Sequence, residues 1–157
     1  MAWLGAFLGS IIRPVGGYMA DKFGGARMSQ VAIVFTAAAV FGQGALVQVC
    51  DSMADPTKYY GAFVFLFICL FLGTGFMNGT TFRTIGVLFS NEEKGPVLGW
   101  SSAIASYGAF IMPTMFGIAA QESDHELIFY GLGGFYLTCL IINYWYYLRR
   151  GCEKPGV

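Results

Sequence analysis

Five stretches of this chain stay apolar for about 20 residues or longer: Met1–Ala20, Ser29–Cys50, Tyr59–Phe89, Pro96–Ala120 and Leu127–Leu148. A helix needs about 20 mostly apolar residues to cross a bilayer, so each stretch predicts a membrane span. The third is long enough to require tilt or an extension beyond the lipid. Short polar breaks separate them: Asp21–Met28, Asp51–Lys58, Ser90–Gly95 and Gln121–Glu126. The pattern predicts an all-α, polytopic helical membrane protein, with one transmembrane domain over residues 1–157.

Composition strengthens this reading. Of 157 residues, 56% are hydrophobic and only 11% charged, with a mean hydropathy of +0.60. Soluble domains carry about a quarter charged residues, so the bilayer is the expected solvent and a partner in its own right.

Charge sets the expected orientation. Lys22 and Arg27 lie in the first break and Lys94 in the third, while Arg149, Arg150 and Lys154 follow the last span. The second break has only Lys58, and the fourth has no Lys or Arg. Positive residues favour the cytoplasm, which places the first and third loops and the C-terminus there and Met1 at the outer face. The expected location is the cell (inner) membrane. An outer-face start without a basic leader, ahead of an odd number of spans, predicts that an N-terminal portion is missing.

Enzymatic chemistry finds little support. Cys50, Cys69, Cys139 and Cys152 are dispersed, and His125 stands alone in a loop, so they read as small apolar thiols and a solvated imidazole. No nucleophile elbow, zinc-protease motif or phosphate loop appears. All nine carboxylates lie in loops or the tail, which leaves the spans without a carboxylate proton relay. Neither an enzyme, a cofactor, a metal site nor a nucleic-acid partner is expected.

Arg13 is the exception within the spans. Eight residues separate it from Asp21, or roughly 12 Å of helix, which puts it near the midplane of a core about 30 Å thick. A charge there costs at least ~2.5 kcal/mol and calls for a partner or a wet cavity. An anion site is the favoured reading, with a carbonyl-bonded or snorkelling arginine beside Pro14 as the alternative. Asn78 reaches a similar depth, either lining a path or tying its helix to a neighbour. Phe63, Phe65, Phe67 and Phe71 read as lipid-facing bulk, and Arg83 as an interfacial anchor or gate contact.

The stretch GGYMADKFGGAR resembles the cytoplasmic loop motif of the major facilitator superfamily, with Gly17, Asp21, Lys22, Gly25 and Arg27 at matching positions. Together with GSIIRP at 9–14, GTGFMNGTTFRTIGVLF at 73–89, LGWSSAIASYGAFIMPTMFG at 98–117 and YWYYLRRGCEKP at 144–155, it is similar to the nitrate/nitrite porter family. The resemblance covers nearly the whole chain and matches its spans to helices eight to twelve. It implies an incomplete C-terminal half whose partner is the absent N-terminal half of the same carrier.

Further expectations come from the resemblance. The family holds nitrate between two arginines, one from each half, and Arg13 matches the C-terminal one. Ser102 matches a serine facing the substrate, while Gly99 and Gly108 belong to a small-residue helix that lets a neighbouring backbone approach. Ala105, Ser106 and Ala109 depart from the commonest family pattern. The function implied is secondary transport of nitrate and nitrite by exchange, in the service of nitrate assimilation. The alternatives are a facilitator-type carrier of another small anion, or a non-transporting membrane subunit.

Overall fold

The computed structural model describes residues 2–53, 55–119, 121 and 125–152. They form α1 (Ala2–Phe23), α2 (Gly25–Asp51), a 3-10 turn (Pro56–Tyr59), α3 (Tyr60–Leu88), α4 (Lys94–Ala119) and α5 (Leu127–Asn143), which ends in a π turn over Tyr144–Leu148. The all-α expectation holds, with no strand among the described residues. Four helical stretches are long and apolar enough to cross a membrane: Gly25–Asp51, Thr57–Leu88, Lys94–Ala119 and Leu127–Leu148. The 22-residue α1, expected as a fifth span, has the length but is not among them; it is the helix that carries Arg13 in mid-course.

Helix ends differ from the polar breaks, because charged residues end a hydrocarbon span without ending a helix. The first break is almost entirely helical: only Gly24 separates α1 from α2. Its N–H donates to the Ala20 carbonyl and its own carbonyl accepts from Met28, so one residue ends one helix and opens the next. This needs a φ of 92°, a conformation natural to glycine. The third break holds a local cap instead. The Ser90 N–H and hydroxyl both donate to the Glu93 carboxylate, at 3.2 and 2.8 Å, and these bonds hold the exposed carboxyl below its usual range.

Packing centres on α3, which meets α1 on one side and α2 on another. The α1–α3 crossing is backbone on backbone. A Cβ at Gly16 would strike the Phe76 carbonyl, one at Gly75 the Gly9 carbonyl, and one at Gly79 the Arg13 carbonyl. Apolar burial alone drives little association between helices in lipid, so close contact and hydrogen bonds have to hold them together. Polar ties join the other helices accordingly. Ser29 and Thr80 share a hydroxyl bond of 2.8 Å between α2 and α3. The Asn143 amide on α5 donates to the Ala26 carbonyl at 2.9 Å and to Gln30 Oε1 at 2.6 Å on α2.

The phenylalanine series on α3 does not face lipid as a block. Phe65 is exposed, but Phe71 lies against Gly5 of α1, and Phe67 stacks between Phe63 and Phe71. A spacing of four keeps Phe63, Phe67 and Phe71 on one helix face, turned towards the bundle. Helix α4 is the outlier. It has no buried residue, touches α3 and α5 only lightly, and makes no contact with α1 among the described residues.

Candidate functional site

Arg13 sits on α1 where that helix crosses α3. Its carbonyl is held against Gly79, while its side chain is exposed and has no carboxylate within ion-pair distance among the described residues. Pro14 follows inside the helix and, lacking an N–H, withholds the usual donor from the Ser10 carbonyl. Asn78 precedes Gly79 on α3, so the structure brings it to the same crossing as Arg13. Its Oδ1 is buried and accepts no hydrogen bond among the described residues. The two residues thus share a backbone crossing, with the Arg13 side chain exposed and the Asn78 carbonyl oxygen buried.

The α4 residues are not gathered there. Ser102 is exposed, and its carbonyl accepts from the Ser106 hydroxyl at 2.9 Å. Nothing stands within 4 Å of a Cβ built on Gly99 or Gly108. The close backbone approach expected at these two glycines is absent within the described chain; it occurs instead at Gly16, Gly75 and Gly79.

The loop-motif residues collect at one end of the bundle. Asp21 pairs with Arg83, tying the end of α1 to the end of α3. Gly17 lies 3.9 Å, measured from a built Cβ, from the Gly79 carbonyl. Gly25 leaves no room for a Cβ beside the Thr84 hydroxyl, so α2 enters close to α3. Lys22 lies 5.5 Å from the centre of the Phe23 ring, and Arg27 is exposed. Asp21, Lys22, Gly25, Arg27 and Arg83, but not Gly17, line a cavity of about 670 Å³ together with Arg149 and Arg150.

Three polar residues that the sequence reading passed over lie within the helix bundle. Gln43 is wholly buried, with neither amide atom hydrogen-bonded among the described residues, and Gln30 and Asn143 make the α2–α5 tie. The available signal was an amide inside an apolar span, the same signal that singled out Asn78. At the opposite end His125 approaches Asp51, with Nδ1 and Oδ2 3.7 Å apart. All four cysteines carry free thiols.

The family model for the Major Facilitator Superfamily matches residues 1–156. The chain is 33% identical to the probable nitrate/nitrite antiporter NarK2 of Thermus thermophilus over 157 residues, which is 98% of this chain and 34% of that relative. It is 30% identical to the nitrate/nitrite transporters NarU of Salmonella typhimurium and Escherichia coli over 175 aligned positions, covering 96% of this chain and 36% of each. The chain thus spans about a third of the length of the curated relatives it matches. It belongs to the Major Facilitator Superfamily, and the relatives it resembles within that superfamily are named as nitrate/nitrite carriers. It is a multi-pass helical membrane protein.

Proposed function

We propose that this chain serves as the C-terminal part of a secondary carrier that exchanges nitrate and nitrite across the cell (inner) membrane. Its partner is a segment corresponding to the remainder of the longer relatives. The observation that carries the reading is Arg13: mid-span, side chain exposed, and unpaired among the described residues. A guanidinium presents a planar fork of donors to a planar oxyanion, and its charge compensates for lost hydration. In this superfamily two repeats pack about an axis along the membrane normal, with substrate between them; an arginine facing outward from α1 suits such an interface. Asn78 supplies a second polar group at the same crossing. Ser102, Gly99 and Gly108 lie on the open α4, which is available to a neighbouring half. The Asp21–Arg83 pair, with Gly17, Lys22, Gly25 and Arg27, makes the ends of α1, α2 and α3 move as one body during rocking.

Exchange is tested in liposomes holding a carrier that contains this chain. Labelled nitrate should enter vesicles preloaded with nitrite and stay out of empty ones. Equal uptake into both would exclude obligatory exchange, and no uptake into either, alongside uptake of another small anion, would replace the substrate.

The proposed orientation has the C-terminus in the cytoplasm. In a background without the four native cysteines, Thr57→Cys should react with an impermeant maleimide added to intact cells, and a cysteine restored at position 152 should not. The reverse pattern would invert the topology.

A further inference from the structure

We infer that the cavity at the loop-motif end is a binding site for a phosphate-bearing anion, distinct from the transport path at Arg13. Six charged residues line it: Asp21, Lys22, Arg27, Arg83, Arg149 and Arg150. Five are cations and one is an anion, a formal +4 from 5 − 1, and the next two charges in sequence, Glu153 and Lys154, cancel. Asp21 is already engaged by Arg83. Lys22, Arg27, Arg149 and Arg150 therefore face a common space with no carboxylate within ion-pair distance among the described residues.

Like charges brought together around a cavity repel one another, and a bound anion relieves that repulsion. The space, about 670 Å³, lies within the ~300–1,000 Å³ of small-ligand sites. Arg149 is already placed, its guanidinium 4.2 Å from the centre of the Trp145 ring. Such stacking reduces the ordering cost of a guanidinium that donates to a phosphate. The first turn of α2 points the same way, since Gly24–Arg27 line the cavity and that turn has no acidic residue and no side-chain cap. Its free N–H groups add to the positive potential that the side chains create.

The cavity joins chain segments far apart in sequence: the α1–α2 turn, the end of α3, and the residues after α5. An anion bridging Arg27 to Arg149 and Arg150 links the last of these to the start of α2. At this depth the phosphate can belong to a phospholipid headgroup or be free in the cytoplasm.

The test measures lipid retained by the purified, detergent-solubilised protein by native mass spectrometry, in mixed micelles of phosphatidylglycerol or phosphatidylcholine. Phosphatidylglycerol should bind in preference. The exposed pair Arg149→Gln and Arg150→Gln should weaken it roughly twenty-five-fold, at about fivefold for each cation facing an anionic surface, and Arg27→Gln alone should act in the same direction. Lys94→Gln, a basic residue of the third loop outside the cavity, should leave binding unchanged. If inorganic phosphate binds the lipid-free protein, and Arg149→Gln with Arg150→Gln abolishes this, the site takes free phosphate. Equal retention of the two lipids with no phosphate binding would overturn the site. So would a loss in Lys94→Gln matching that of the cavity variants, because the attraction would then be a general surface potential.

Discussion

Replacing Arg13 with lysine, in a carrier that contains this chain, is expected to weaken nitrate binding roughly ten- to hundredfold. The estimate is the loss of one charge-assisted hydrogen bond of about 1.5–3 kcal/mol, taken at about 1.4 kcal/mol for each factor of ten. Lysine keeps the charge but loses the planar fork, so geometry and charge are separated by one substitution. Arg13→Ala should be worse, since it removes both. The structure makes this a clean experiment. Arg13 meets α3 through its carbonyl at Gly79, and its side chain takes no part in the described packing, so either variant should fold. A bracing arginine predicts the opposite result: less folded protein, with the surviving fraction binding nitrate normally. Titration of nitrate into monodisperse wild-type, Arg13→Lys and Arg13→Ala protein decides between them. Unchanged affinity in both variants would sink the anion-clamp reading.

The helices were legible because a bilayer imposes one severe requirement, a long apolar run with its backbone satisfied internally. Runs read from composition alone gave α2, α3, α4 and α5 to within a few residues at most ends. The breaks were less informative. Asp21, Lys22 and Arg27 mark where hydrocarbon ends, yet the helix continues to Phe23 and resumes at Gly25, since a charged side chain in the headgroup region is compatible with helical backbone. Only Gly24, through its positive φ, reverses the chain.

Partners were harder to read than positions. Arg83 was placed correctly at the end of its span, but nothing in the order of residues says that Asp21, 62 positions earlier, pairs with it. The glycines teach the same lesson. Gly75 and Gly79 on α3, and Gly5 and Gly9 on α1, are four apart, which puts each pair on one helix face. The small-residue helix that drew attention was α4, whose Gly99 and Gly108 face open space. Spacing announces that a helix can be approached; it does not name the neighbour, and a neighbour outside these residues leaves no trace in them. Arg13 and Asn78 stand out in the sequence for their depth in the membrane, whereas the contact of the Arg13 carbonyl with Gly79, next to Asn78, depends on that glycine seam.

The seam itself yields the second large effect. Gly79→Ala should lower the melting temperature and folded yield of the protein, while Gly99→Ala should leave both unchanged or slightly raised. In a helix interior alanine is intrinsically better than glycine by roughly 0.5–1 kcal/mol, so propensity alone favours both variants. At Gly99 nothing lies within 4 Å of the added carbon, and propensity decides. At Gly79 the new Cβ meets the Arg13 carbonyl oxygen, with the Gly17 backbone nitrogen 3.1 Å away. Neither atom can rotate aside as a side chain would, so α1 and α3 must move apart. Overpacking in a close-fitting core costs about 1–3 kcal/mol, which exceeds the propensity gain through most of that range. Gly75→Ala, facing the Gly9 carbonyl one turn earlier, should reproduce the loss. Thermal unfolding of the detergent-purified variants, followed by thiol-reactive fluorescence on the native cysteines, measures the order directly. A melting temperature for Gly79→Ala at or above that of Gly99→Ala would mean that the backbone contact between α1 and α3 does not hold this bundle together.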